Sequence, residues 1–307
     1  MTARPPLNRR RFLTIASAAC LAGPAAATAH VWTGIALGAR ARIVLDHPQA
    51  AVLTRKAVAE MDRLEGIFSL YRPDSQISRL NRDGHLPAPA FELLDCLTLA
   101  RQIWHDTEGR FDPTVQPLWQ AMAKAKEAGI AADRQSLNRA RAAIGFDRVR
   151  IDSDRVDLDP GQALTLNGIA QGYIADRVAD VLRRAGVADV LIDTGEILPL
   201  GSAPGQQGWP VTIKGEASPR QVSGRAFATS APAQLILDTG QGIGHILDPR
   251  RTAAAPGPIR QVTVSAPRAA VADALSTALC LAAGRDEAFG MLRGRKDARV
   301  ESLYLGQ

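Results

Sequence analysis

Asp273 and Thr277 form the pair of residues whose types and spacing most directly suggest chemistry. They lie four positions apart in an apolar stretch, residues 268–283, that has helical spacing. Residues four apart in a helix share one face, so the carboxylate and the hydroxyl would project to the same side. Two hard oxygen ligands suit Mg²⁺ or Ca²⁺ better than Zn²⁺. The pair predicts a cation site, with a solvated helix face or a local hydrogen bond as the alternative.

His245 is a second candidate, in the run of residues 244–249. A neutral imidazole titrates near physiological pH, so His245 could act as a general base, and a structural hydrogen bond is the alternative. The spacing of the nearby Gly240, Gly242 and Gly244 is similar to that of the glycines in a dinucleotide-binding loop. Strand-like runs flank them and no helix follows, so they predict a hairpin turn instead.

The run Gly168-Ile169-Ala170-Gln171-Gly172-Tyr173 follows an apolar strand-like segment and opens a helical pattern. A helix start offers free backbone N–H groups and the positive end of the helix dipole, which together can bind a phosphate. The alternative is structural. Gly168 and Gly172, one helical turn apart, would let the helix lie close against a sheet.

Residues 109–114 join two predicted helices. Gly109 would be the C-cap of the first helix, and Asp112 would be the N-cap of the second, with Pro113 at its start. The cap alone accounts for Asp112. Some aromatic side chains could stack on a planar ligand, although most Phe residues in a chain with 5% aromatic content should be core; they are Phe68, Tyr71, Phe111 and Tyr173.

The elements that must position these residues change in type along the chain. After a loosely alternating strand at 35–45, helical spacing dominates the first half, at 50–68, from the N-cap Ser75 to about 81, and at 89–109, 115–128 and 134–144. The second half has helices at 169–185 and 268–283 and short β-rich runs at 149–151, 163–166, 190–192, 211–213, 235–237 and 262–264. This order predicts an α+β fold with mixed or antiparallel sheets.

Composition places the chain among globular proteins. Its 307 residues are 46% hydrophobic and 22% charged, enough for one large domain or two smaller lobes. The formal net charge is +6, but four of the 37 basic residues lie in the first 29 positions, which leaves 33 basic and 31 acidic residues. No basic stripe interleaved with aromatics follows, so nucleic-acid binding is not indicated. Cys96 and Cys280 are predicted to be buried free thiols.

Residues 1–29 have the composition of an export signal. Arg9-Arg10-Arg11 precedes an apolar core at 12–22 and a small-residue cleavage site, Ala27-Thr28-Ala29. The core is too short to span a bilayer, and the arginines resemble the twin-arginine signal. We therefore expect a periplasmic protein that begins near His30. Lipid attachment at Cys20 is disfavoured because Ser17-Ala18-Ala19 is a poor lipobox.

Taken together, these segments resemble the ApbE family, the FAD:protein FMN transferases. Five motifs occur in the family's order, at residues 68–75 with 80–81, 109–114, 168–173 with Asp176, 245–249 and 272–277. The resemblance implies an α+β, two-lobed fold over residues 30–307, with mixed or antiparallel sheets flanked by helices and an FAD site in the cleft between the lobes.

The resemblance also implies a reaction. FAD would lie in the cleft with Mg²⁺ on its pyrophosphate, and the FMN phosphate would pass to a Thr or Ser hydroxyl of another protein, with release of AMP. By motif position, Asp273 and Thr277 would bind Mg²⁺ through their side chains and Gly168 through its carbonyl. His245 and Asp273 would be the catalytic residues. The residues expected to line the FAD are Leu37, Tyr71, Arg110, Phe111, Asp112, Thr165, Gln171 and Ile246.

Three features depart from the family pattern. Residues 165–168, Thr-Leu-Asn-Gly, and Gln171 stand where many members carry Asp-Leu-Gly-Gly and Lys. Residues 193–196, Asp-Thr-Gly-Glu, replace a Gly-Gly-Asp-like turn and resemble members associated with nitrous-oxide reductase maturation. In that subgroup the acceptor would be a membrane-bound flavoprotein.

The expected partner is thus an extracytoplasmic flavoprotein domain, with no nucleic acid, and with the inner membrane approached only through that acceptor. Two alternatives to the transferase remain. One is a protein that binds or delivers FAD without covalent chemistry, for which Thr165 and Gln171 are the main arguments. The other is a pyrophosphatase that uses water as the acceptor and converts FAD to FMN and AMP.

Overall fold

The computed structural model describes residues 21–22, 29–213, 216–238, 240, 242–250 and 257–306. Helices and strands alternate irregularly along these residues. The helices are α1 (Ala50–Phe68), α2 (Gln76–Asp83), α3 (Phe91–Asp106), α4 (Gln116–Ala128), α5 (Arg134–Ala142), α6 (Ala170–Arg184), α7 (Ala269–Leu279) and α8 (Arg285–Gly290), with short 3₁₀ turns at Pro113–Val115, Phe146–Arg148 and Pro232–Gln234.

The strands are concentrated after α5. They are β1 (Leu21–Ala22), β2 (His30–Ala36), β3 (Ala39–Leu45), β4 (His85–Pro87), β5 (Arg150–Ile151), β6 (Arg155–Asp157), β7 (Val190–Asp193), β8 (Ile197–Leu200), β9 (Trp209–Thr212), β10 (Arg220–Val222), β11 (Ala226–Ser230), β12 (Ile236–Asp238), β13 (Ile243–Gly244), β14 (Ile259–Ala266) and β15 (Arg299–Leu305).

A seven-stranded sheet in the order β15-β14-β11-β8-β7-β3-β2 forms the centre of the fold. Three smaller sheets join β4, β6 and β5, then β12 and β13, and then β1, β9 and β10. Every pairing among the described residues is antiparallel. The predicted α+β class is confirmed, and the sheets are antiparallel rather than mixed.

The main core lies on one face of this sheet, where α1, α6 and α7 pack. Alternate inward residues of β3, such as Ile43, belong to the same cluster as Leu64 of α1 and Val178 of α6, and all three are fully buried. A smaller cluster around Trp209 covers the opposite face. Layers on both faces explain why the strands read as apolar runs in the sequence.

A second lobe consists of α4, α5 and the β12–β13 hairpin. Its own apolar cluster joins α4 to the hairpin through Leu118, Met122, Leu237 and Ile243, with Leu247 just beyond β13. This cluster is separate from the main core, so the chain has the two-lobed organisation expected. The hairpin also agrees with the prediction that the glycines at 240–244 belong to a turn between strands.

Most predicted elements are confirmed. Helix α1 has the predicted bounds, and Ser75 caps α2 by accepting a hydrogen bond from the Ser78 N–H. The single strand predicted at 35–45 is wrong, because a turn at Leu37 and Gly38 divides this segment between β2 and β3. The strand predicted at 163–166 is also wrong. There the side chain of Asn81 donates to the Leu164 carbonyl at 2.8 Å and accepts from the Leu164 N–H at 2.7 Å. One side chain thus replaces the strand partner that this backbone would otherwise need.

Cys96 and Cys280 are free and buried, as predicted. Most of the expected export signal, residues 1–20 and 23–28, lies outside the described residues; Leu21–Ala22 pairs with β9. No helix in the described part of the chain has the length and apolarity needed to cross a membrane.

Candidate active site

A cavity lies where the two lobes meet. It encloses about 1160 Å³ including its open mouth. Eleven of the twelve residues named from the sequence line it: Tyr71, Arg110, Phe111, Asp112, Thr165, Gly168, Gln171, His245, Ile246, Asp273 and Thr277. Five motifs that are scattered over two hundred residues therefore meet in one place.

Leu37 is the exception and does not line the cavity. It occupies the turn between β2 and β3 with φ of 47°, and its N–H donates to Glu65 Oε1 at 2.8 Å. A left-handed conformation is strained for leucine, so this hydrogen bond to α1 helps to hold the turn. The position of Leu37 is explained by the turn, and its expected contact with FAD has no support in the cavity.

Helix α7 carries Asp273 and Thr277 on the same face, as predicted. Every residue of α7 is buried except Thr277, which is half-buried at the cavity wall. The Asp273 carboxylate is 4% exposed and accepts a hydrogen bond from the Gly172 N–H at 3.3 Å. The helix is thus enclosed by protein, and it presents to the cavity one carboxylate and one hydroxyl.

Helix α6 fixes the position of α7. A Cβ added at Gly172 would lie 2.3 Å from the Ala269 carbonyl oxygen, so only glycine permits this approach. Asp176, one turn further along α6, accepts hydrogen bonds from the N–H groups of Ala269 and Ala270 at 2.7 and 3.1 Å. These contacts bind the first turn of α7 and set its rotation.

The predicted phosphate site at the start of α6 is largely wrong. The Ile169 and Ala170 N–H groups both donate to the Leu166 carbonyl, and the Gly172 N–H donates to Asp273. Most of the donors expected to be free are therefore occupied. The structural alternative holds for Gly172, except that the neighbouring element is α7 and not a sheet.

Gly168 lies against Thr277. A Cβ at Gly168 would lie 2.9 Å from Thr277 Oγ1 and 3.4 Å from the Phe111 ring. The absence of a side chain leaves the backbone of Gly168 next to the hydroxyl. Thr277 also has Ser230 Oγ within 3.5 Å, and Ser230 in turn contacts Ser276 at 2.7 Å. Several oxygen atoms thus converge around one turn of α7.

His245 lies just beyond β13 and faces the cavity. Its Nδ1 is 3.1 Å from the Pro232 carbonyl oxygen; because a carbonyl can only accept, we assign the proton to Nδ1 and the lone pair to Nε2. Burial lowers the pKa of His245, and the carbonyls of Pro232 and Leu235 partly oppose that effect. A neutral ring with a lone pair on Nε2 is the form that a general base requires.

The wall made by residues 110–112 is held rigidly. Asp112 accepts hydrogen bonds from the Thr114 N–H at 2.7 Å and from Trp104 Nε1 at 3.1 Å, which agrees with the predicted cap. The Arg110 guanidinium is buried and pairs with Glu108 and with Glu287 of α8. Both side chains line the cavity while their polar atoms hold neighbouring segments together.

Two of the four aromatic candidates line the cavity, and two do not. Tyr71 stands at the cavity with 41% exposure, and Phe111 is buried in its wall. Phe68 and Tyr173 are fully buried and stack edge-to-face on each other, with ring centroids 5.4 Å apart. The proposed ligand stacking by Phe68 and Tyr173 is therefore wrong, because these rings belong to the main core.

Glu196 is a cavity residue that the motif reasoning left without a role. It belongs to the turn between β7 and β8, and it is 7% exposed. Burial raises the pKa of the Glu196 carboxyl, and the charges of Asp273 and Asp193 add to that rise. Burial likewise raises the pKa of Asp273, opposed by the Gly172 N–H. In the sequence, the unusual Asp-Thr-Gly-Glu turn at residues 193–196 was the feature that could have indicated a role for Glu196.

The cavity suits a hard divalent cation in its donor chemistry. Asp273 and Thr277 offer oxygen atoms from one helix, and the Gly168 backbone lies beside them. In the described part of the chain, no three His, Cys, Asp or Glu side chains form a group able to hold a metal. Mg²⁺ usually completes its shell with water and phosphate oxygens, so a site shared with a pyrophosphate fits this donor set.

Residues 37–303 match the ApbE family. This match covers most of the sequence, so the chain belongs to the ApbE family. Among curated proteins, the FAD:protein FMN transferase of Klebsiella pneumoniae (strain 342) is 28% identical over 285 residues, or 86% of this chain and 81% of that protein. One from Vibrio cholerae is 30% identical over 241 residues, or 72% and 71%.

Solved structures agree with this membership. The flavinyl transferase ApbE of Pseudomonas stutzeri, in its apo form, has a TM-score of 0.76 and 26% identity, over 91% of this chain and 94% of that one. The flavin transferase ApbE of Vibrio cholerae has a TM-score of 0.75 at 24% identity, over 91% and 98%. At that identity the second likeness concerns the fold alone.

Proposed function

We propose that this protein is a Mg²⁺-dependent enzyme that transfers FMN from FAD to a Thr or Ser hydroxyl of an extracytoplasmic flavoprotein and releases AMP. The observation that carries the proposal is the convergence of Asp273, Thr277, Gly168 and His245 on one cavity. The relatives named FAD:protein FMN transferase support the same reaction.

Asp273 and Thr277 would hold the cation together with the Gly168 carbonyl. When bound, Mg²⁺ supplies charge neutralisation for the pyrophosphate. Phosphoryl transfer depends mainly on such electrostatic stabilisation and on in-line positioning, because little covalent chemistry is left for the protein. The hydrogen bonds between α6 and α7 contribute to that positioning, because they fix the Asp273 carboxylate and the Thr277 hydroxyl relative to the cavity wall.

His245 would take the proton of the acceptor hydroxyl. The hydroxyl oxygen forms a bond to the FMN phosphorus, the bond from that phosphorus to the bridging oxygen breaks, and AMP leaves with the electron pair. The hydroxyl pKa is far above neutral, so Nε2 accepts the proton as the new bond forms. The Nδ1 contact with Pro232 orients the ring for this step.

The remaining lining residues would bind the donor. Tyr71 and Phe111 offer aromatic surface for the flavin at the mouth and the wall of the cavity. Arg110, Asp112, Thr165, Gln171 and Ile246 complete that wall.

The test is direct. The mature protein is incubated with FAD, Mg²⁺ and a flavin-acceptor domain, and covalent FMN is followed by fluorescence in a denaturing gel and by intact mass. We expect an adduct that disappears with EDTA and falls at least 100-fold in Asp273→Asn and His245→Gln. His85→Gln, an exposed histidine outside the cavity, is the matched control. Undiminished transfer in both cavity variants would end this mechanism.

The same assay separates the alternatives. A pyrophosphatase would release AMP and FMN at the same rate with and without the acceptor. A binding protein would retain stoichiometric FAD and release no AMP with any acceptor, including a membrane-bound redox protein of nitrous-oxide reduction, which is the acceptor to try first.

Export by the twin-arginine route is part of the proposal, and its support is the composition of residues 1–29. The expected location is the periplasm. The double variant Arg9→Lys, Arg10→Lys should leave the full-length precursor in the cytoplasm, as followed by fractionation and immunoblotting. Normal processing of that variant would argue for another export route.

A further inference from the structure

Glu196 has an unusual environment for a carboxylate. Its side chain is more than nine-tenths buried at the cavity, and Oε2 has no hydrogen-bond partner among the described residues. The Thr229 N–H donates a hydrogen bond to this carboxyl. An unpaired buried carboxylate oxygen is costly unless a proton or a group that enters the cavity compensates for it.

Asp273 is a second buried carboxylate at the cavity, although its Oδ2 accepts a hydrogen bond from the Gly172 N–H. Each of the two carboxylates faces the cavity, and within the described residues neither forms an ion pair with a Lys, Arg or His side chain. The cationic side chain in the wall, Arg110, is already engaged by Glu108 and Glu287. The compensating charge must therefore come from a bound cation or from protons.

We propose that Glu196 is a second carboxylate of the divalent-cation site formed by Asp273 and Thr277, and that it sets the affinity of this site. The inference rests on the proposed cation site and adds to it a residue from a different element. The β7–β8 turn is tied to the start of α6 because Thr194 Oγ1 donates to the Gln171 carbonyl at 3.0 Å. The turn that carries Glu196 is therefore fixed relative to the α6–α7 pair that carries Asp273.

The experiment measures Mn²⁺ binding by electron paramagnetic resonance and calorimetry, in the presence of FAD and without any acceptor. We expect Glu196→Gln to weaken Mn²⁺ binding at least tenfold and Glu196→Asp to weaken it less. Glu127→Gln, which removes the same charge from an exposed position on α4, should bind Mn²⁺ as the parent does. FAD affinity measured in EDTA should be unchanged in Glu196→Gln.

A thermal melt gives a second readout that excludes misfolding. In EDTA, Glu196→Gln should melt at a temperature no lower than that of the parent, because the amide has the size of the carboxyl and needs no compensating charge. Saturating Mn²⁺ should then raise its melting temperature less than it raises that of the parent. Parent-like Mn²⁺ affinity in Glu196→Gln would overturn the role of Glu196 alone. Absence of Mn²⁺ binding by the parent would instead overturn the cation site of the proposed function.

Discussion

The backbone N–H of Gly172 donates to Asp273 Oδ2 at 3.3 Å, although the two residues are 101 positions apart. This bond joins the glycine motif of α6 to the acidic motif of α7. Each motif had a separate interpretation in the sequence, one as a phosphate loop and one as a cation pair. In the fold they form one unit, in which the first exists largely to hold the second.

Gly172→Ala should therefore be severely destabilising. Its Cβ would lie 2.3 Å from the Ala269 carbonyl oxygen, so α6 and α7 must separate. We expect a loss of about 1–3 kcal/mol or more in the free energy of unfolding, as for other overpacked cores. Gly66→Ala is the control, because Gly66 lies in α1 with no atom near its Cβ position; it should gain about 0.5–1 kcal/mol. Urea unfolding followed by circular dichroism measures both, and equal effects would refute the packing argument.

Asn81→Ala should loosen the segment that leads to Gly168. It removes both partners of the buried Leu164 backbone, and each unpaired buried group costs about 1–3 kcal/mol. Hydrogen exchange of the Leu164 amide should accelerate markedly. Asn138→Ala, on the exposed face of α5, should change stability by no more than about 0.5 kcal/mol. Unchanged protection of Leu164 would contradict this role for Asn81.

The pH dependence of transfer should reflect the environment of His245. Burial lowers its pKa, so the ring stays neutral where an exposed histidine, with a pKa of about 6.5, is already protonated. The acidic limb of kcat/KM should therefore lie below pH 6.5, and a limb above that value would contradict the assignment. The same shift contributes stability that is present above the unfolded-state pKa and is lost as pH falls towards the folded-state pKa.

Asp176 gives a separate pH effect on stability. Burial raises its pKa from 3.8 to about 6, against the opposing N–H groups of Ala269 and Ala270. Because the folded state holds this proton more tightly, stability should fall as pH rises from about 4 to 6. Asp176→Asn should flatten that slope, and Asp176→Ala should cost about 0.5–2 kcal/mol as a lost cap. Asp154→Ala, an exposed residue in the turn between β5 and β6, is the control. A slope that survives in Asp176→Asn would assign the titration to another group.

The sequence allowed prediction of what depends on neighbouring residues. The shared face of Asp273 and Thr277 follows from helical periodicity, and the Ser75 and Asp112 caps follow from local turn chemistry. The grouping of the motifs in one cavity followed from the family resemblance.

What could not be predicted depends on contacts between distant segments. Asn81 is 83 positions from Leu164, and nothing local indicates that a side chain replaces a strand there. The burial of Phe68 and Tyr173 depends on the packing of α1 against α6. Leu37 is held by a turn and by Glu65 on another element. Glu196 carried a signal, an acid in an atypical turn, but its burial without a partner is visible only in the fold.

The burial of α7 also limits where residues can be inserted into or deleted from this chain. Each residue of a helix advances the rotation by about 100°, so one residue inserted between Ala270 and Asp273 would turn the carboxylate into the apolar core. The hydrogen bonds from Ala269 and Ala270 to Asp176 prevent α7 from rotating about its axis to restore the original direction of the carboxylate. Insertions and deletions should be tolerated in exposed loops, while the start of α7 can change its residues but not their number.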